Sequence, residues 1–72
     1  MTHTRYYVVP ELDHWVIVRA ERRFGPYANR SEAHAVAMDM AGDDYRDGKD
    51  SAVAVQDREG RWAKRQTYAH GH

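Results

Sequence analysis

The chain has 72 residues and no cysteine, and its 11 Lys and Arg balance its 11 Asp and Glu, so its formal net charge is zero. A chain of this length is one domain with a small core, and without cysteine it is neither a disulfide scaffold nor a user of thiol chemistry. No apolar run approaches the roughly 18 residues of a membrane helix, and none has signal-peptide length. We therefore expect a single soluble, cytoplasmic domain over residues 1–72, with frayed ends at about 1–4 and 69–72.

The charges are unevenly distributed along this neutral chain. The net balance is +2 over residues 1–30, −4 over residues 31–50 and +2 over residues 51–72. No global field attracts polyanions, which argues against indiscriminate nucleic-acid binding. The acidic middle and the basic flanks nevertheless predict local surfaces of opposite sign.

Two strands are predicted in the first third of the chain. "RYYVV", residues 5–9, is β-branched and aromatic and stops at Pro10, while "WVIVRA", residues 15–20, is mostly apolar. The turn residues of "PELDH" lie between them, so the two strands are expected to form an antiparallel hairpin. Gly25–Pro26 in "ERRFGPYA" then predicts a loop that leads away from the sheet.

One helix is predicted in the middle of the chain. Asn29 and Glu32 have the spacing of a capping pair, and Gly48 is suited to a left-handed helix end. The apolar side chains follow the spacing of a single helical stripe, and the acidic ones lie largely off it. The stripe consists of Ala33, Val36, Ala37, Met40, Ala41 and Asp44 or Tyr45.

A second hairpin is predicted at the end of the chain, because "SAVAVQ" and "RWAKRQTY" alternate on either side of the turn "DREG". The predicted fold class is α+β, in the order ββαββ, with one helix packed on one face of a four-stranded antiparallel sheet. The other face is then open to solvent, to a second copy or to a partner.

Alternation along the strands gives an expected assignment of the two faces. Val16 and Val18, with Val53 and Val55, are expected under the helix, and Trp15, Ile17 and Arg19 on the open face. Alternation also places Trp62, Lys64, Gln66 and Tyr68 on one side of the last strand, without deciding which side faces the helix. A one-residue change of register would invert any of these assignments.

The assembled motifs resemble the bacterial domain-of-unknown-function family 2188. The resemblance spans nearly the whole chain and is carried by "YYVVP", Trp15, Ala33, Ala37, Arg58, Gly60, Arg61 and Tyr68. His14, Glu59 and Ala69 depart from the family pattern, in which we expect Gly, Asp and Gly. The resemblance implies a ββαββ domain of bacterial or phage origin and carries no biochemical activity.

The candidate interaction surface combines the expected open face with the basic and aromatic residues of the last hairpin. It consists of Trp15, Ile17, Arg19, Arg58, Arg61, Trp62, Lys64, Arg65 and Tyr68. An apolar patch of this kind favours a non-enzymatic module that docks a protein partner or self-associates, with a homodimer as the expected state. Arg and Lys beside exposed aromatics also fit a nucleic-acid-binding module, and the acidic helix fits an inhibitor that mimics nucleic acid. Solvated basic side chains that protect an edge strand are the plainer interpretation of the hairpin.

No cofactor, metal or catalytic site is expected. Asp43 begins a stretch that resembles a calcium loop, but Tyr45 and Ala54 stand where oxygen ligands are required. The histidines near the two ends of the chain, His3, His70 and His72, could take Cu(II) or Ni(II), but chain ends usually fray. Ser31 and His34 are three residues apart without an orienting acid, so no enzyme is predicted.

Overall fold

A computed structural model describes residues 3–69 of the chain. Five strands and one helix follow one another in the order βββαββ. Their bounds are β1 His3–Glu11, β2 His14–Arg19, β3 Arg22–Tyr27, α1 Arg30–Arg46, β4 Asp50–Gln56 and β5 Trp62–Tyr68. Of the ends expected to fray, residues 1–2 and 70–72 lie outside the described part, whereas His3 and Thr4 are paired with β4.

The sheet is five-stranded and mixed, in the order β3-β2-β1-β4-β5. The predicted α+β class and the two hairpins are confirmed, since β1 pairs antiparallel with β2 and β4 with β5. The prediction of four purely antiparallel strands is wrong, because β1 and β4 are parallel neighbours. Parallel neighbours require a long crossover, which β2, β3 and α1 together provide.

The missing strand is β3, which lies where the sequence predicted a loop. Gly25–Pro26 is a strong turn signal, but β3 is an edge strand, and proline is tolerated at an edge because its missing N–H leaves no neighbour unpaired. The pairing of β3 with β2 also shifts between Trp15 and Ile17, which is how the strand accommodates an irregular segment. The predicted loop is therefore wrong, because Gly25 and Pro26 lie within β3.

Helix α1 begins and ends as the sequence predicted. The Asn29 side chain accepts a 2.8 Å hydrogen bond from the Glu32 N–H, and the Glu32 carboxylate accepts one from the Ala28 N–H. The helix ends at Arg46, and Gly48 has a φ of +87°, a left-handed conformation that glycine adopts without strain. The predicted apolar stripe is confirmed, because Ala33, Ala37, Ala41 and Asp44 are buried.

The core lies between α1 and one face of the sheet. Its buried residues on the sheet are Tyr6, Val8, Trp15, Ile17, Val53 and Val55, packed against the three helix alanines. Val53 and Val55 are therefore placed as predicted. The face assignment of β2 is wrong, since Ile17 is fully buried in this core and Val16 and Val18 point to the opposite face. Alternation fixes which residues of a strand share a face, but the partner strand decides which face that is.

A buried polar contact joins the end of the helix to the centre of the sheet. The Tyr6 hydroxyl donates a 2.5 Å hydrogen bond to the Asp44 carboxylate, and both residues are buried. Burial, the hydrogen bond to Asp44 and the negative charge of Asp44 raise the pKa of Tyr6 to about 12, against the opposing charge of Arg19. Asp44 thus holds the last turn of α1 on β1.

In the described residues no helix is long and apolar enough to span a membrane.

Candidate functional site

The turn between β4 and β5 is built around Asp57 and Gly60. The Asp57 carboxylate accepts hydrogen bonds from the Glu59 and Arg61 N–H groups at 3.0 and 2.9 Å, and Gly60 has a φ of +87°. This is the turn that "DREG" predicted. Its aspartate satisfies the N–H groups of the turn, so the hairpin holds β5 in a defined register against β4.

An irregularity at the start of β5 reverses one aromatic side chain. Val55 pairs with Lys64, but Gln56 pairs with Trp62, so β5 carries one extra residue at this point. Strict alternation predicted that Trp62 shares a face with Lys64. The bulge instead places Trp62 on the open face, where its ring lies 5.6 Å from the Tyr7 ring at an angle of 57°.

The open face of the sheet contains a concavity of about 580 Å³ formed by β1, β4 and β5. Trp62 lies at the side of the concavity, with 49% of the residue exposed. Ala52 and Ala54 of β4 form the floor of the concavity. The residues that line it include His3, Arg5, Tyr7, Ala52, Ala54, Trp62, Arg65 and Thr67. Small side chains between larger ones make this face hollow, although a twisted sheet is otherwise a nearly continuous surface.

The concavity is basic. Arg5 and Arg65 are exposed, and neither forms an ion pair with any residue between His3 and Ala69. No acidic residue lines it within that range. The acidic side chains of this face lie towards the ends of β1 and β4. Glu11 forms an ion pair with Arg23, and Asp50 lies opposite His3 in the register of β4 against β1. Two guanidinium groups without an ion-pair partner in the described residues thus line the same concavity as two aromatic rings.

Three members of the predicted interaction surface belong to the core side of the sheet instead. Trp15 and Ile17 are buried beneath the helix, with exposures of 6% and 0%. Arg19 lies beside the Tyr6 ring, 5.7 Å from its centre. Their assignment to the open face was wrong for the reason given above, and they are not available to a partner there.

Arg58 serves the fold. Its guanidinium donates a 2.6 Å hydrogen bond to the Leu12 carbonyl and lies 5.1 Å from the centre of the Trp15 ring. It therefore ties the turn after β4 to the turn after β1. These contacts occupy the side chain that the sequence suggested for a ligand.

The five remaining residues of the predicted surface, all in the last hairpin, do not share one face. Arg65 joins Trp62 on the open face, and Arg61 is exposed in the turn. Lys64 faces the helix side, and the Tyr68 ring packs 5.8 Å from the Tyr45 ring there. The hairpin is therefore not one continuous binding surface.

Sequence reasoning missed Arg5 and Tyr7, which β1 brings to the same concavity. The signal was present, because Tyr6 and Tyr7 are adjacent in a strand and must point to opposite faces. What the sequence could not supply was the parallel pairing of β1 with β4, which brings Tyr7 opposite Ala54. Through β4, that pairing places β1 within reach of β5.

The acidic residues of the helix are partly engaged in the fold. Asp44 is buried against Tyr6, Glu32 accepts the Ala28 N–H, and Asp43 forms an ion pair with Arg46. Asp39 and Asp47 remain exposed. This leaves a short and discontinuous row of charges along α1, which is a weak imitation of a phosphate backbone.

No group of three or more His, Asp or Glu that could hold a metal lies within residues 3–69, and His70 and His72 fall outside that range. Ser31 and His34 line one cleft, but the His34 Nε2 bonds the Gln66 side-chain oxygen at 3.1 Å. The Ser51 hydroxyl donates to the Ala41 carbonyl, so it serves to hold β4 against α1.

The architecture defines a small α+β domain in which one helix covers one face of a mixed five-stranded sheet and the other face stays open. A family model of an uncharacterised protein conserved in bacteria, DUF2188, matches residues 6–68, and the chain belongs to this family. The family resemblance suggested by the motifs is thereby confirmed. No curated protein and no solved structure is significantly similar to the chain.

Proposed function

We propose that the protein is a non-enzymatic interaction module whose open sheet face binds single-stranded nucleic acid. The observation that supports this most is that Trp62, Tyr7, Arg5 and Arg65 line one concavity without a lining carboxylate. Arginine pairs with phosphate, and an exposed ring offers a base a flat surface on which to stack. A cytoplasmic location fits this function and remains a prediction.

A single strand fits this site better than a duplex. The two rings are tilted by 57°, so bases stacked on them would differ in orientation. The bases of a single strand turn independently, whereas those of a duplex are stacked on one another and hidden from a flat surface. Recognition through stacking and phosphates also implies little dependence on base sequence.

Fluorescence titration with an oligothymidylate of about 12 nucleotides tests the proposal. Trp15 is buried and Trp62 is half exposed, so quenching on binding reports mainly on the candidate site. Stacking contributes about 1–3 kcal/mol per base, so Trp62→Ala should weaken binding about 5- to 150-fold, measured by anisotropy of a labelled oligonucleotide.

The contribution of the two arginines to binding can be tested separately, with a matched control. Arg5→Gln with Arg65→Gln should lower affinity and reduce the salt dependence by about 0.7 in slope for each lost phosphate contact. Arg22→Gln removes an exposed arginine of β3 outside the concavity and should leave both unchanged. Absence of any binding by the wild-type protein at about 50 mM salt would refute the proposal.

Self-association through the same face is the second candidate. Val9 and Val18 lie half-buried on its β1 and β2 portion, beside the more deeply buried Val16, and a second copy could cover them. A twofold dimer across the whole face would, however, enclose the Arg5 and Arg65 charges of both copies in one interface. Light scattering decides the point: a dimer that Val18→Glu converts into a folded monomer would support self-association, and a wild-type monomer would exclude it.

A further inference from the structure

A second basic cleft lies on the helix side of β5. It has a volume of about 200 Å³ and is formed by side chains from α1, β4 and β5. The residues that line it are Arg30, Ser31, His34, Val55, Ala63 and Lys64. Because it lies on the opposite side of the sheet, it is separate from the concavity of the open face.

The cleft has the chemistry of an anion site. Arg30 and Lys64 are exposed and form no ion pair within residues 3–69, and no acidic residue of that range lines the cleft. The nearby Glu32 carboxylate is directed to the Ala28 N–H at the start of the helix. The positive side chains that converge on this cleft from two elements therefore lack a counter-charge.

The contact between His34 and Gln66 holds one wall of the cleft in place. An amide oxygen only accepts hydrogen bonds, so the His34 Nε2 is the donor in its 3.1 Å bond to Gln66. This bond fixes the imidazole ring against β5. The Ser31 hydroxyl and the two cations remain available for an oxygen-rich ligand.

One strand separates this cleft from the open-face concavity. β5 is the last strand of the sheet, and its consecutive residues Lys64 and Arg65 point to opposite faces. Arg61 is exposed in the turn immediately before the same strand. This edge of the sheet therefore carries three basic side chains, those of Arg61, Lys64 and Arg65. A flexible polyanion that passes over the edge stays close to positive charge.

We infer that single-stranded nucleic acid bound on the open face continues over the edge of β5 and places a phosphate in the cleft of Arg30, His34 and Lys64. This inference rests on the proposed function and adds to it the course of the bound strand, from the open face over β5 to the cleft. A polymer with regularly spaced charges reaches both sites at once, whereas a compact anion fills only one of them. The path makes affinity depend on oligonucleotide length.

Two lengths of oligothymidylate, about 4 and about 12 nucleotides, distinguish the path from the open-face site. The cleft variant Arg30→Gln with Lys64→Gln should bind the short oligonucleotide and quench Trp62 as the wild type does. It should bind the long one about 10- to 100-fold more weakly at 50 mM salt, with the salt slope reduced by about 0.7 for each lost contact.

The control removes the same charge elsewhere. Arg22→Gln with Lys49→Gln should bind both lengths like the wild type, and circular dichroism should show that every variant is folded. Unchanged binding of the long oligonucleotide by the cleft variant would overturn the path while leaving the proposed function intact. Failure of both lengths to bind the wild type would refute the proposed function and the path together.

Discussion

The buried hydrogen bond between Tyr6 and Asp44 offers a quantitative test of how the helix is held on the sheet. Tyr6→Phe removes only the hydroxyl that donates the 2.5 Å hydrogen bond, and it leaves the ring in the core. The Asp44 carboxylate is then buried without this donor. A buried acceptor that loses its partner destabilises the folded state by more than the average hydrogen bond contributes.

The expected loss follows from the charge and the burial of the acceptor. Hydrogen bonds to charged groups contribute about 1.5–3 kcal/mol, and the free energy of unfolding should fall by that amount. In a domain of 60–100 residues each kcal/mol lowers the melting temperature by about 4–8 °C, so Tm should fall by roughly 6–24 °C. Such a loss is a large part of the stability of a small domain.

Urea unfolding followed by circular dichroism measures the loss. Tyr7→Phe is the matched control, because the Tyr7 hydroxyl has no hydrogen-bond partner within residues 3–69 and its ring faces the concavity. That variant should be within about 0.5 kcal/mol of the wild type. Equal losses in the two variants would refute the assignment of Tyr6 to the helix side and Tyr7 to the open side.

Alkaline pH provides a second test of this hydrogen bond, because it removes the phenol proton rather than the whole hydroxyl group. The pKa of Tyr6 is raised to about 12 by burial and by Asp44, whereas an unfolded tyrosine titrates near pH 10. At pH values between these two pKa values, the Tyr6 phenol is ionised in the unfolded chain but still protonated in the folded chain. The free energy of unfolding therefore falls as the pH rises, by up to about 1.4 kcal/mol per pH unit. The difference in unfolding free energy between the wild type and Tyr6→Phe should therefore shrink between about pH 9 and pH 12, and a constant difference would contradict this account.

Two further predictions test the face assignment and the helix end by urea unfolding. Ile17→Ala should lower the free energy of unfolding by about 2–5 kcal/mol, because it opens a cavity under the helix. Val18→Ala on the open face should lower it by about 1 kcal/mol or less. Equal losses in the two variants would contradict the observed faces. Gly48→Ala should cost about 1–2 kcal/mol because φ is +87° at that position. Gly42→Ala in the helix interior should instead stabilise by up to about 1 kcal/mol, since an added Cβ meets only the end of the Arg46 side chain, at 3.6 Å.

The candidate site was only partly predictable, and the reason lies in the bulge of β5. Sequence reasoning found Trp62 and Arg65 but grouped Trp62 with Lys64, because it assumed unbroken alternation. One extra residue between Trp62 and Lys64 reverses that relation. Arg5 and Tyr7 were missed because they come from a strand more than fifty residues away in the chain.

The sequence by itself determined the features that depend on a few neighbouring residues. Asn29 and Glu32 specify the helix start, Gly48 specifies its end, and Asp57 with Gly60 specifies the last turn, because these signals act through local hydrogen bonds and a preferred φ. The motif pattern also determined the family.

Only the tertiary structure decided which strands are neighbours and which face the helix covers. The parallel pairing of β1 with β4 and the addition of β3 depend on contacts between distant segments, which no local preference specifies. The helix could pack on either face of the sheet, and it covers the one that buries Tyr6, Val8 and Ile17. That choice leaves Arg5, Tyr7, Trp62 and Arg65 together on the open face, because adjacent residues in a strand necessarily point in opposite directions.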